Sequence, residues 1–118
     1  MIAQEYLQDV RISEPFIYNN EIIGYPFNLN DLINKWGKDI IPDKMGIYKL
    51  FYNNHLVYIG MSRKLRGRLL CHLKDNDKPF NGCLWFVTDD KTIEQTLLIE
   101  KNMINKFKPS LNLTYANL

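Results

Sequence analysis

The stretch Gly46-Ile47-Tyr48-Lys49-Leu50-Phe51-Tyr52-Asn53-Asn54-His55-Leu56-Val57-Tyr58-Ile59-Gly60 decides the fold. Gly46 to Tyr52 and Leu56 to Gly60 are short runs rich in aromatic and β-branched residues, separated by Asn53-Asn54-His55. Such runs favour a pleated, half-buried strand. Adjacent asparagines tolerate the left-handed backbone of a tight turn. The stretch therefore reads as an antiparallel hairpin that puts Tyr48 and Tyr58 on paired strands. Two phenols so placed suit either a packed core or the polar end of a site that helices complete.

Downstream, Leu65, Leu69 and Leu73 recur at helical spacing behind Ser62, a residue type that caps helices. Gly67 costs such a helix about 1 kcal/mol relative to Ala, which suggests close packing or a ligand there. Arg68 and His72 are four residues apart and share a face. Asp75 to Gly82 reads as a polar loop, and Leu84-Trp85-Phe86-Val87 as a buried third strand. Thr92 opens a second helix with apolar positions Ile93, Leu97, Ile104 and Phe107; Pro109 stops it, and Leu111-Asn112-Leu113 reads as an extended tail.

Upstream, Phe16-Ile17-Tyr18, Asn19-Asn20 and Glu21-Ile22-Ile23 read as a smaller hairpin. Asn30 is the expected cap of a short helix carrying Leu32, Ile33 and Trp36 and ending at Gly37. Tyr6, Phe16, Tyr18, Tyr25, Phe27 and Trp36 argue that this segment packs. The expected division is an N-terminal extension over residues 1–45 and a core over residues 46–118.

The 118 residues suit one domain with a single core, and 46% hydrophobic against 24% charged residues is ordinary for a soluble globular chain. Cys71 and Cys83 form no C-x-x-C pair, which favours free thiols in a reducing, intracellular (cytoplasmic) setting. Residues 1–10 carry Glu5 and Asp9 without an apolar run, unlike a signal peptide, and no stretch is apolar for long enough to suggest a membrane span. The net charge of +2 is uneven. Residues 1–45 hold 4 Lys/Arg against 7 Asp/Glu, a net of −3; residues 46–118 hold 11 against 6, a net of +5. The second part suits a polyanion.

Glu100 is the informative carboxylate, because it falls among Ile93, Leu97 and Ile104 at three-and-four spacing. A carboxylate facing a core is costly unless it is paired, hydrogen-bonded or bound to a metal. It reads either as a structural ion pair, with Arg68 as the candidate partner, or as a metal ligand. One carboxylate with several waters suits Mg²⁺. Arg68 offers a planar fork for a phosphate. Zinc-ligand spacing, a Ser-His-Asp arrangement, a P-loop and G-x-G-x-x-G are all absent from the sequence.

Gly46-Ile47-Tyr48, Tyr58-Ile59-Gly60, Arg68 with His72, Glu100-Lys101-Asn102-Met103-Ile104 and Pro109-Ser110-Leu111-Asn112 together resemble the GIY-YIG nuclease family, in the right order. The likeness runs from about Met45 to Leu113 and looks like that of a small stand-alone member. The ending is similar to that of the incision subunit of bacterial nucleotide-excision repair, and the Arg-x-x-x-His form to that of phage homing endonucleases. The resemblance implies an α/β fold of the α+β type: a three-stranded antiparallel sheet flanked by helices, here with the hairpin and helix extension in front. It implies hydrolysis of DNA phosphodiesters with one divalent metal, Mg²⁺ or Mn²⁺. Carried over, Glu100 is the metal ligand and Arg68 stabilises charge on the scissile phosphate. Tyr48 is the base or positions the attacking water, with Tyr58 beside it. His72 assists proton transfer, and Asn112 supports the site from behind. Arg63, Lys64, Arg66 and Lys74 are the expected DNA-backbone contacts. Met61 after the YIG and Gly67 before Arg68 depart from the family's usual pattern without removing a catalytic group.

Two other readings share the scaffold. One is a non-catalytic nucleic-acid-binding module; the other is a subunit whose residues 1–45 dock a separate targeting partner. A single site cuts one strand at a time, so a double-strand cut requires a homodimer or reorientation on the DNA. Base-reading residues are not legible in the sequence.

Overall fold

Both expected hairpins form, and each turns on its Asn-Asn pair. Asn53 and Asn54 have φ of 49° and 68°, and Asn19 and Asn20 of 51° and 65°, so all four adopt the left-handed conformation that a two-residue hairpin turn requires. The computed structural model describes residue 11 and residues 14–112. Its elements are β1 (Phe16–Tyr18), β2 (Glu21–Gly24), α1 (Leu29–Trp36), a 3₁₀ turn (Lys38–Ile40), β3 (Gly46–Tyr52), β4 (His55–Ser62), α2 (Leu65–Asp75), β5 (Gly82–Val87) and α3 (Ile93–Phe107).

The main sheet has the antiparallel order β4-β3-β5. The central strand β3 is buried from Gly46 to Phe51, as a strand covered on both faces must be. Tyr48 lies opposite Gly60 on β4 and Trp85 on β5. Two glycines allow close approaches. A Cβ at Gly60 would fall on the Tyr48 phenol, and one at Gly46 would meet the Phe86 carbonyl and the Leu65 side chain. The glycines that bracket the hairpin thus clear space for the Tyr48 ring and for α2.

The N-terminal elements contact this sheet directly. Phe27 exchanges two backbone hydrogen bonds with Cys83, at 2.9 and 2.7 Å. The Phe16 ring stands edge-on to Phe51 with centroids 5.1 Å apart, and Tyr18 meets Phe107 at 4.8 Å. Leu29, Leu32 and Ile41 join Tyr48, Leu50, Leu65 and Leu69 in one core cluster. Tyr6 lies outside the described residues.

Several expected boundaries and faces move. Helix α1 starts at Leu29 with Asn28, not Asn30, as its cap; Asn28 Oδ1 accepts the Asp31 N–H at 3.1 Å. The earlier start turns Leu29 into the core beside Leu32, at 1% and 2% exposure. Ser62 does not cap α2. It ends β4 opposite Gly46, and its Oγ accepts the Lys64 N–H at 3.1 Å, while Lys64 takes the cap position. On α3 the inward line runs Ile93, Thr96, Glu100, Met103 and Phe107, so Leu97 is exposed and Thr96 buried. Thr96 tolerates burial because its hydroxyl donates within the fold, with Thr88 Oγ1 and the Thr92 carbonyl each 3.0 Å away. The third strand is less buried than expected. β5 is an edge strand, and Phe86 is 38% exposed. Residues 110–112 are helical rather than extended. Lys108 closes α3 in the left-handed conformation, and Pro109 leads into the new turn, a position where its missing N–H costs nothing.

Gly67 has open space around its Cα, so close packing is not what requires it. Gly60→Ala should destabilise the protein by about 1–3 kcal/mol through overpacking against Tyr48. Gly67→Ala should stabilise it by about 1 kcal/mol through helix propensity. Chemical denaturation of the two variants checks both signs.

Candidate active site

The site grows from the face of β3 that carries Tyr48. Tyr48 is only 2% exposed, so its hydroxyl needs a partner. Helix α2 supplies it: Tyr48 Oη lies 2.8 Å from His72 Nε2, a buried contact. The other ring nitrogen, His72 Nδ1, lies 3.0 Å from Asp77 Oδ1, and Lys78 Nζ donates to Asp77 Oδ2 at 2.9 Å. Asn76, in the left-handed conformation at the end of α2, turns the chain back so that Asp77 reaches a histidine five residues earlier. Tyr58 completes the group, with its ring centroid 6.1 Å from those of Tyr48 and His72, and Lys78 Nζ lies 4.7 Å above it.

Burial, reinforced by Tyr58, raises the Tyr48 phenol well above its ordinary value of 10.0. Glu100 and Asp77 push the same way, and the positive charge of Arg68 opposes them. The electrostatics thus tie Tyr48 to residues from β4, α2, α3 and the loop after α2. Glu100 is half-buried, and burial raises its carboxyl, while a hydrogen bond from the Met61 backbone N–H lowers it.

Strand β4 is the free edge of the sheet, and its outward backbone groups organise the far side of the site. The Ile59 N–H donates to Asn112 Oδ1 at 2.8 Å, and Asn112 Nδ2 donates to the Ile59 carbonyl at 2.9 Å. Asn112 caps the edge as a strand's peptide group would.

Tyr48, Tyr58 and His72 are in mutual ring contact, Arg68 and Glu100 act electrostatically on Tyr48, and Asn112 is hydrogen-bonded to Ile59, the neighbour of Tyr58 on β4. Among the described residues Glu100 forms no ion pair with Arg68, so the structural alternative for this carboxylate is not what the fold uses. Arg68 is exposed and lines a shallow cleft with Met61, Arg63, Lys64, Gly67 and Cys71. Lys74 is exposed one turn beyond Cys71 on α2. Arg66 departs from this set. Its Nε donates to the Ile41 carbonyl at 2.9 Å and its guanidinium lies 3.7 Å from Asp39, so it ties α2 to the connecting segment and does not face the cleft as a free phosphate contact. Asp77 is the site residue that sequence reasoning missed. The one local signal is a helix ending in Asn-Asp behind a histidine.

Among the described residues no group of three or more His, Cys, Asp or Glu gathers to hold a metal. A single half-buried carboxylate instead fits a hard cation that keeps waters and shares phosphate oxygens.

No family model matches the chain. The chain is 32% identical over 77 residues to UvrABC system protein C of Fervidobacterium nodosum, which covers 61% of this chain and 14% of that protein. The same protein of Methanosphaera stadtmanae is 28% identical over 89 residues, covering 64% and 14%. The chain thus spans about 14% of the length of the curated relatives it matches. Among solved structures, the GIY-YIG N-terminal endonuclease domain of UvrC from Thermotoga maritima, bound to magnesium as its catalytic divalent cation, superposes with a TM-score of 0.53 at 22% identity. It covers 67% of this chain and 93% of that one. The chain has the fold of that GIY-YIG endonuclease domain. The α+β architecture and the three-stranded antiparallel sheet expected from the GIY-YIG resemblance are those found.

A buried phenol with a raised pKa makes the fold pH-sensitive in one direction. The native state favours neutral Tyr48, so this stability is fully present below the ordinary value of 10.0 and is lost as pH rises above it. A spectrophotometric titration should show a phenol that ionises only with unfolding in strong base. Tyr48→Phe should remove that delayed phase.

Proposed function

We propose that this chain is a divalent-metal-dependent endonuclease that hydrolyses phosphodiester bonds of DNA at a single site, inside the cell. The observation that carries this reading is the buried Tyr48–His72 hydrogen bond, with Arg68 and Glu100 near enough to act electrostatically on the same phenol and Arg68 also lining the basic cleft. The sequence match and the superposed Thermotoga maritima domain support it. The proposed division is a nuclease core over residues 46–118 with residues 1–45 as an addition packed on it, supported by the Phe27–Cys83 pairing and the Phe16–Phe51 contact.

Glu100 would hold Mg²⁺ or Mn²⁺, which when bound supplies Lewis-acid stabilisation of charge on the scissile phosphate. Arg68 adds a fixed positive fork to the same developing charge. Tyr48 stays protonated at neutral pH, because burial disfavours its phenolate. It acts as a relay rather than as a standing base. Its O–H proton passes to His72 Nε2 while the same oxygen takes a proton from the attacking water, so no free phenolate forms. Tyr58 walls the pocket beside Tyr48. Asn112 positions β4 through Ile59 and touches no reacting atom. Arg63, Lys64 and Lys74 would hold the DNA backbone, an attraction that weakens with salt.

Supercoiled plasmid with Mg²⁺ or Mn²⁺ provides the test. The natural protein should convert it to nicked or linear product, and EDTA should stop the conversion. Glu100→Gln and Arg68→Ala should each lower the rate by about 100–1000-fold, the usual loss for a group that stabilises transition-state charge. A folded protein that binds DNA and leaves it intact under these conditions contradicts the proposal and favours a binding module.

A further inference from the structure

Resting on the nuclease reading for its kinetic consequence, we infer that Asp77 is a positioning residue that fixes the tautomer and ring orientation of His72, so that His72 Nε2 is the acceptor for the Tyr48 proton. The residue lies outside the sequence elements that mark the site and is placed there by the backbone turn at Asn76.

The argument is one of hydrogen-bond inventory. An ionised carboxylate only accepts, so the His72 nitrogen facing it, Nδ1, must carry a proton. In the neutral imidazole this leaves Nε2 with its lone pair, directed at the Tyr48 hydroxyl 2.8 Å away. The carboxylate is held in its ionised form. Although its partial burial works against the charge, hydrogen bonds from His72 and Lys78 outweigh it and bring the Asp77 carboxyl down to about 2. Its two oxygens are divided, Oδ1 to His72 and Oδ2 to Lys78. The histidine has little freedom to answer otherwise. It is 4% exposed and stands among the rings of Tyr48, Tyr58 and Phe80. With the opposite tautomer, Nε2 would donate to the phenol oxygen and could not receive its proton.

Nitrogen-15 chemical shifts of the His72 ring test this directly, and the chain's 2 histidines make assignment simple. In the natural protein Nδ1 should be protonated and Nε2 not. Asp77→Ala should shift His72 away from that tautomer. It should also lower kcat for plasmid cleavage roughly 10- to 100-fold, part of the ~100–10,000-fold that a positioned acid or base contributes, with DNA affinity unchanged. Asp77→Asn retains an acceptor oxygen and should keep the tautomer and most of the activity. It also carries the test should the alanine variant not fold. In a His72→Ala background, Asp77→Ala should cause no further loss. An unchanged His72 tautomer in Asp77→Ala overturns the inference, as does an equal loss of activity with and without His72. A protein inactive on DNA overturns the nuclease reading, and the tautomer result then decides the role of Asp77 alone.

Discussion

The hydrogen bond between the Tyr48 hydroxyl and His72 Nε2 is the constraint around which the molecule is arranged. A phenol buried to 2% exposure in the central strand costs free energy unless it is satisfied. Satisfying it fixes much else. The ring has room only because Gly60, its cross-strand partner, has no Cβ. The hairpin register that places Gly60 there depends on the left-handed Asn53-Asn54 turn. Helix α2 must present His72 at that depth, which it does by burying Leu65 and Leu69 on the same face.

A second constraint lies on the free edge of β4. Outward backbone groups on an edge strand must find partners or remain open to other chains. Here Ile59 is closed on both sides by the Asn112 amide. The turn after α3 is thereby clipped to the strand that carries Tyr58. The sheet edge at Ile59 is protected by these contacts.

Much of this was legible in the residues, for reasons that differ from place to place. The hairpins were legible because asparagine pairs between aromatic and β-branched runs have few other uses. Glu100 stood out as a charge in an apolar stripe, even though the stripe's register was displaced: Thr96 rather than Leu97 faces inward. The start of α1 was ambiguous because Asn28 and Asn30 are equally good caps, and the burial of Leu29 decides between them. Arg66 looked like its basic neighbours, and only the path of the chain at Asp39 and Ile41 shows that it is engaged elsewhere. Asp77 was hidden because its role depends on a left-handed residue closing a loop, which local propensity at an Asn-Asp pair does not specify.

The account stands on the Tyr48 oxygen more than on any other atom. The most direct measurement is plasmid cleavage by Tyr48→Phe, which keeps the ring and the packing against Gly60 and deletes only the hydroxyl. A folded variant that still binds DNA but cleaves at least ~100-fold more slowly, the loss expected of a positioned proton-transfer group, is the predicted result. Cleavage at the natural rate by that variant would show that the buried phenol is structural and that the proton leaves the attacking water by another route.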